Sequence, residues 1–297
     1  MKPIKMTNNK REQISGYLFI LPWIMGFVFL FLRPMISSLI YSFSDVSIEE
    51  GFLRTQFTGF DKYLRAFMTD ADTLPALTKS ISDLLYQVPL IVMFSLFIAL
   101  ILNQKFKGRL FVRAVFFLPV IIASGVIIDI LKDDLVSQMF LAGSKSSNMI
   151  QITVLRDIML EAGFSGSFVS QIIAVINNIF ELSWKSGIQI LLFIAGLQTI
   201  PAQLYEVAKI EGSTGWESFW KVTFPLISPI LLLNIVYTII DSFVDHSNEF
   251  MQIIIKYARS LDFSYSSALA WIYFIVIAVI LVVVYSIINR RTFYANE

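Results

Sequence analysis

The chain contains no cysteine and a single histidine among 297 residues. The first absence excludes disulfides, thiolate metal sites and a cysteine nucleophile, and it leaves the redox compartment open, since a membrane helix bundle needs no staples. The second leaves no Ser-His-Asp arrangement to argue from. Charge is scarce: 15% of residues are charged, against roughly 25% in a soluble domain. The formal net charge of +1 argues against a nucleic-acid partner. No Gly-x-x-x-x-Gly-Lys-Ser/Thr phosphate loop occurs, so if ATP drives this protein a separate subunit must hydrolyse it. There is no clear internal repeat.

What is present is hydrophobic. Apolar residues make up 56% of the chain, and the mean hydropathy is +0.71. The apolar residues fall in continuous runs and do not alternate with period two. That implies an all-α, polytopic membrane helix bundle and not a β-barrel.

A spanning helix needs roughly 20 apolar residues. Gln13–Leu32 meets this, and apolar character resumes after Arg33-Pro34 up to Phe43. The basic start (Lys2, Lys5, Lys10, Arg11) resembles a signal peptide, but the run is long and no small-residue cleavage pattern follows, so a retained first helix is expected. Asp45–Lys79 reads as a polar loop. Leu84–Gln104 and Ala114–Ile128 read as the second and third spans, with Pro89 and Pro119 inside them. Asp129–Gly166 reads as a loop, and Val222–Ile240 and Ala268–Asn289 as the last two spans. Ser167–Ile200 is either one long broken helix or two. One gives six crossings and puts the amino terminus, the basic turn Lys105–Arg113, the island Ala195–Pro229 and Arg290-Arg291 on one side. That side then holds slightly over half of all Lys and Arg, so the positive-inside rule favours six spans with both termini cytoplasmic. A helix break facing the pathway is expected near Ser183–Gly187.

The island is the unusual segment. Pro201 suits a first helical turn, Ala202–Glu211 are mostly good helix formers, and Gly212 is a natural stop. Thr214-Gly-Trp-Glu217 reads as a capping box opening a second short helix through Lys221, after which Phe224-Pro225 turns the chain back to the bilayer. Pattern alone allows two readings: an interfacial connecting loop, or a docking surface for a soluble partner's groove.

These residues resemble a known family. Glu206, Ala208, Gly212 and Pro225, within Tyr205–Ser213 and the following Trp216, Phe219 and Phe224, are similar to the coupling loop of ABC importer permeases. Val207, Glu211, Ser213, Val222 and Phe224 are mild departures from its pattern. Ala195–Tyr205, Phe116–Pro119, Phe57–Tyr63 and Ala270–Phe274 resemble the carbohydrate, maltose-type branch, with Lys62 standing where that branch often has asparagine. The resemblance covers nearly the whole chain and is weakest over Asp129–Glu161.

It implies a type I ABC importer permease fold and a bacterial cytoplasmic-membrane location. The implied partners are a second homologous permease, two ATPase subunits, an extracytoplasmic sugar-binding protein and membrane lipid. No cofactor is expected on this chain; ATP and Mg would be used by the partner. The division expected is 1–72 (amino terminus, first helix and outer loop), 73–289 (core transmembrane domain with coupling loop 201–225) and a tail, 290–297. Leu204, Tyr205, Glu206, Ala208, Glu211 and Gly212 are the expected ATPase-coupling residues. Asn177, Asn178, Trp184, Tyr237, Asp241 and Tyr273 are the expected pathway residues, with Ser183, Gln189 and Asn234 nearby, because hydroxyl-rich solutes need amides, hydroxyls and aromatic faces. Each is also an ordinary interhelical hydrogen bond or packing residue.

Other chemistries are weaker. His246 with Asp241, Asp245 and Glu249 would make a metal site, but a solvated acidic turn is the ordinary explanation there, and no metal is expected. No motif of a membrane enzyme and no channel filter is found. An ion-coupled secondary transporter is the alternative, since Glu181, Lys185 and Asp241 sit within or beside spans. Glu181 and Lys185 are also a plain i,i+4 helix pair, Asp241 a boundary residue, and a carrier would tend to show two similar halves.

Overall fold

The computed structural model describes residues 8–49, 52–104, 107–108, 111, 114, 158–245 and 248–290. The expected third span, the motif Phe116–Pro119, most of the basic turn and of the 129–166 segment, and His246 lie outside the described residues.

The chain opens with α1 (Asn8–Gly26), a π-helical stretch (Phe27–Leu32) and α2 (Arg33–Ser42). Arg33-Pro34 does not interrupt this helix. The Arg33 N–H reaches back five residues to the Val28 carbonyl, and this wider register comes just before Pro34, which has no N–H to give. The expected loop after it is structured. β1 (Ser44–Glu49) and β2 (Phe52–Phe57) form an antiparallel hairpin pairing Ser44 with Phe57 and Val46 with Thr55. A short α3 (Asp61–Leu64) runs into a second π-turn (Arg65–Thr69). α4 (Thr73–Asn103) begins eleven residues before the expected span and carries Pro89. Then come α5 (Gly166–Lys185), α6 (Gly187–Thr199), α7 (Ala202–Ile210), α8 (Gly215–Ser218), a third π-turn (Phe219–Thr223) and α9 (Phe224–Val244). α10 (Glu249–Arg259) and α11 (Phe263–Asn289) close the described chain.

Among the described residues four helical stretches are long and apolar enough to cross a membrane: Gly16–Ser42, Thr73–Asn103, Gly215–Val244 and Phe263–Asn289. A fifth results if α6 and α7, bent by 66° at their junction, count as one. The exposed Phe, Leu, Ile and Val side chains along α1 and the second half of α11 are what a lipid-facing surface requires. The protein is thus a multi-pass membrane helix bundle.

The chain divides into two compact units. The first comprises Met1–Ser82 and Phe243–Ile280. In it the Phe57–Tyr63 motif folds over the end of α2: the Thr58 and Gly59 N–H groups both donate to the Phe43 carbonyl, and the Tyr63 hydroxyl donates to Ser42 Oγ at 2.9 Å. Lys62, the departure from the family pattern, pairs with Asp45 of the hairpin at 2.7 Å. Arg65 pairs with Asp262 at 3.0 Å and lies 4.0 Å from the Tyr265 ring centroid. Asn248 caps α10 through the Phe250 and Met251 N–H groups and accepts from Ser80 Oγ. The second unit comprises Asp83–Ser242 and Leu281–Glu297, with Phe193, Ile227 and Ile239 among its buried side chains.

Candidate functional site

The coupling segment is built by local rules. Pro201 is the N-cap of α7, one residue earlier than a first-turn position, with extended ψ of 134°. At the other end Gly212 has φ +78°, a conformation that carries little penalty only for glycine. The Ser213 N–H reaches the Ala208 carbonyl at 2.9 Å and the Gly212 N–H that of Lys209 at 3.1 Å, the paired bonds of a Schellman stop. Thr214 then opens α8 with a complete capping box: its Oγ1 accepts from the Glu217 N–H, and Glu217 Oε2 accepts from the Thr214 N–H at 2.8 Å. The expected turn at Phe224-Pro225 is absent. Helical structure runs from α8 through the π-turn into α9, again with a five-residue bond, Phe224 N–H to the Phe219 carbonyl, just ahead of proline.

Helical periodicity sorts α7 into two faces. Gln203, Leu204, Glu206, Val207, Ile210 and Glu211 are exposed, an apolar strip edged by carboxylates. Gly212 is exposed as well. Ala208 is only 8% exposed, and Tyr205 is half-buried with its hydroxyl 3.0 Å from Thr223 Oγ1. Among the candidates, the residues accessible to a partner are therefore Leu204, Glu206, Glu211 and Gly212. Val207, 53% exposed at the middle of the strip, was not among them, though its i,i+3 spacing from Leu204 and Ile210 was the signal.

The expected helix break falls at Ser186, between α5 and α6, with φ −93° and ψ 0°. Of the pathway candidates, Asn178 lines a cavity of about 200 Å³ with Tyr86, Gln87 and Lys185. Trp184 and Asp241 are exposed and Tyr237 is half-buried; none of these lines that cavity. The side chain of Asn177 lies outside the described residues. Tyr273 belongs to the first unit, where it is packed between Phe243 and Phe250 and donates to the Phe243 carbonyl. In the second unit Gln189, Asn234 and Thr238 are fully buried; Gln189 Nε2 donates to Thr238 Oγ1, while both amide atoms of Asn234 lack a partner among the described residues. Among the described residues no three His, Asp or Glu side chains group to hold a metal.

No family model matches the chain. Its relatives are consistent with one another. It is 25% identical to the probable ABC transporter permease YesP of Bacillus subtilis, over 99% of this chain and 96% of that one. It is 29% identical to MsmF, a multiple sugar-binding transport system permease of Streptococcus mutans, over 89% and 92%. The fold matches a chain of a bacterial alginate ABC transporter with a TM-score of 0.64 at 17% identity, covering 95% and 96%. In sequence the chain is similar to permease proteins of ABC transporters, and in fold to a chain of an ABC importer of alginate. Both relatives are named as permease proteins.

Proposed function

We propose that the chain is one permease subunit of an ATP-driven importer of sugars or oligosaccharides, forming half of the translocation pathway beside a second homologous permease. A separate pair of ATPase subunits would use ATP and Mg, and an extracytoplasmic binding protein would deliver the solute. The carbohydrate part is supported by relatives whose names specify multiple sugars, arabinooligosaccharides, and trehalose and maltose. The alginate transporter of like fold was solved with an alginate-loaded periplasmic protein. The ion-coupled carrier finds no such support.

The observation that carries the coupling role is the α7–Gly212–α8 corner. It is rigidly terminated on both sides, and it presents Leu204, Val207 and Ile210 between Glu206 and Glu211. An apolar strip with an acidic rim suits a partner groove that is apolar at its floor and basic at its edge. Gly212→Val forces a β-branched residue to φ +78°, a strain of about 1–3 kcal/mol. The spans should still insert, so the variant should reach the membrane while losing ATPase co-purification and solute uptake; Glu206→Lys should act in the same direction more mildly. Normal retention and uptake in both at matched membrane levels would reduce the segment to a connecting loop.

A further inference from the structure

Three contacts join the helix before the coupling corner to the helix after it, all within the second unit. Gln189 of α6 donates to Thr238 of α9 at 3.3 Å. About two turns nearer the corner, Gly196 faces Ile230 so closely that a Cβ built on the glycine would lie 2.7 Å from Ile230 Cγ1. Nearest the corner, the Tyr205 hydroxyl meets Thr223 Oγ1 at 3.0 Å. Along this series the first partner advances while the second recedes, 189, 196, 205 against 238, 230, 223, which is the signature of two antiparallel helical arms closed rung by rung. The first two rungs tie α6 to α9. The third is different: it spans the 66° bend that separates α6 from α7, and it connects α7 to the last residue of the π-turn.

From this geometry we infer that Tyr205 and Thr223 form a positioning latch, holding the coupling corner rigid against its two arms so that a push on α7 moves α9 with it. The inference rests on the coupling role proposed above. Besides the latch, the corner joins the bundle through the non-helical link Ile200-Pro201 and the widened turn Phe219–Thr223. π-turns of this kind recur where a helix serves function. Thr223 is 4% exposed, so its hydroxyl has no access to a docked ATPase and its partner hydroxyl is turned away from the exposed strip. The bond has the geometry of a neutral hydroxyl pair with Thr223 buried and Tyr205 half-buried, and leaving the buried Thr223 hydroxyl unpaired is costly.

The chain has no native cysteine, so paired spin labels on introduced cysteines at the exposed Lys209, off the apolar strip, and Leu233 report the corner-to-arm distance directly in the assembled complex. The wild-type background should give one narrow distance that nucleotide does not change. Thr223→Val and Tyr205→Phe should each broaden it, the double variant should be no broader than either, and Thr223→Ser should restore it. In vesicles, ATP hydrolysed per solute imported should rise at least threefold in Thr223→Val and Tyr205→Phe and stay near wild type in Thr223→Ser. Narrow distances and an unchanged ratio in Thr223→Val and Tyr205→Phe would overturn the latch. So would loss of ATPase binding in both with distances still narrow, because that outcome makes the hydroxyls docking groups. If the wild-type chain neither retains an ATPase nor transports with ATP, the functional reading fails at that step, and the latch as a coupling device fails with it.

Discussion

Asp70 collects two tyrosine hydroxyls on one oxygen, Tyr265 at 2.8 Å and Tyr257 at 3.0 Å, and its other oxygen accepts the Asp72 N–H at 3.0 Å. Burial alone would raise its pKa. The hydrogen bonds from Tyr265, Asp72, Tyr257 and Thr73 outweigh burial and hold the carboxyl below its ordinary value of 3.8. A depressed folded pKa means that the ionised form stabilises the fold. That contribution is complete above the unfolded carboxylate pKa of about 3.9 and is lost as pH falls through the lower folded value. Asp70→Ala should therefore cost about 1.5–3 kcal/mol at pH 7, the range for hydrogen bonds to a charged group. The check is thermal unfolding of the two proteins in detergent across pH. The gap should be constant from neutral to about pH 5 and close below pH 4; a gap that persists undiminished at pH 3 would show that the carboxylate's charge contributes nothing. Leu261 supplies a contrast, a non-glycine residue at positive φ, +64°, where α10 stops by the same pair of bonds that ends α7. Nothing local in the sequence marks a leucine for that position, whereas Gly212 is marked by its own lack of a side chain.

Elements governed by short-range chemistry were legible in the sequence, and those governed by register were not. The capping box at Thr214 and the stop at Gly212 can be read because each is a rule about residues within five positions. Helix continuity through Pro34 and Pro225 cannot be read that way. Proline predicts a break, and the preceding π-turn that removes the need for its N–H has no composition of its own. The β1–β2 hairpin had a faint period-two signal, Val46 and Ile48 against Leu53, Thr55 and Phe57, hidden by the acidic residues around it. The close approach of α6 and α9 at Gly196 is likewise a tertiary fact, since a glycine inside an apolar helix is equally often idle. It yields a prediction at this scale. Gly196→Leu overpacks the contact with Ile230 and should destabilise the pair of helices by about 1–3 kcal/mol. Ile230→Ala in the same chain should recover part of that loss, seen as a partial return of the melting temperature. If Gly196→Leu melts with the wild type, the two helices are not held together at that point.

For the molecule as a whole the open question is on which side each end lies, and hydrogen bonds in the first unit constrain it. The Tyr63–Ser42 bond puts the end of α2 on the same side of the membrane as the 61–69 segment. The pairs Arg65–Asp262 and Ser80–Asn248 put the start of α4, the segment after α9 and the start of α11 there as well. α4 and α11 therefore run in one direction across the bilayer and α9 in the other. The chain leaves α4 and re-enters at α9 on the opposite side, so the number of crossings between them is even. The expected crossing in 114–128, nearly all of it outside the described residues, together with one expected from the α5–α6 stretch would satisfy this, and two separate crossings in Ser167–Ile200 beside it would not. On that expectation the start of α1 and the end of α11 would lie on one side, the side of the coupling corner. The Gly215–Val244 stretch is 30 residues, about 45 Å of helix against a hydrocarbon core of about 30 Å, so α8 has length to spare outside the bilayer. Charge then predicts the side: Arg11, Lys209, Lys221 and Arg290 lie at these ends and this corner, and by the positive-inside rule we propose that this side is the cytoplasm. Reporter fusions after Lys209 and after Arg290 should both read as cytoplasmic, and a tag inserted in 65–69 or after Arg259 should be reached from outside the cell. A cytoplasmic signal at Lys209 with an external one at Arg290 would require an odd number of crossings between them, and no arrangement that keeps the Arg65–Asp262 and Ser80–Asn248 pairs provides it.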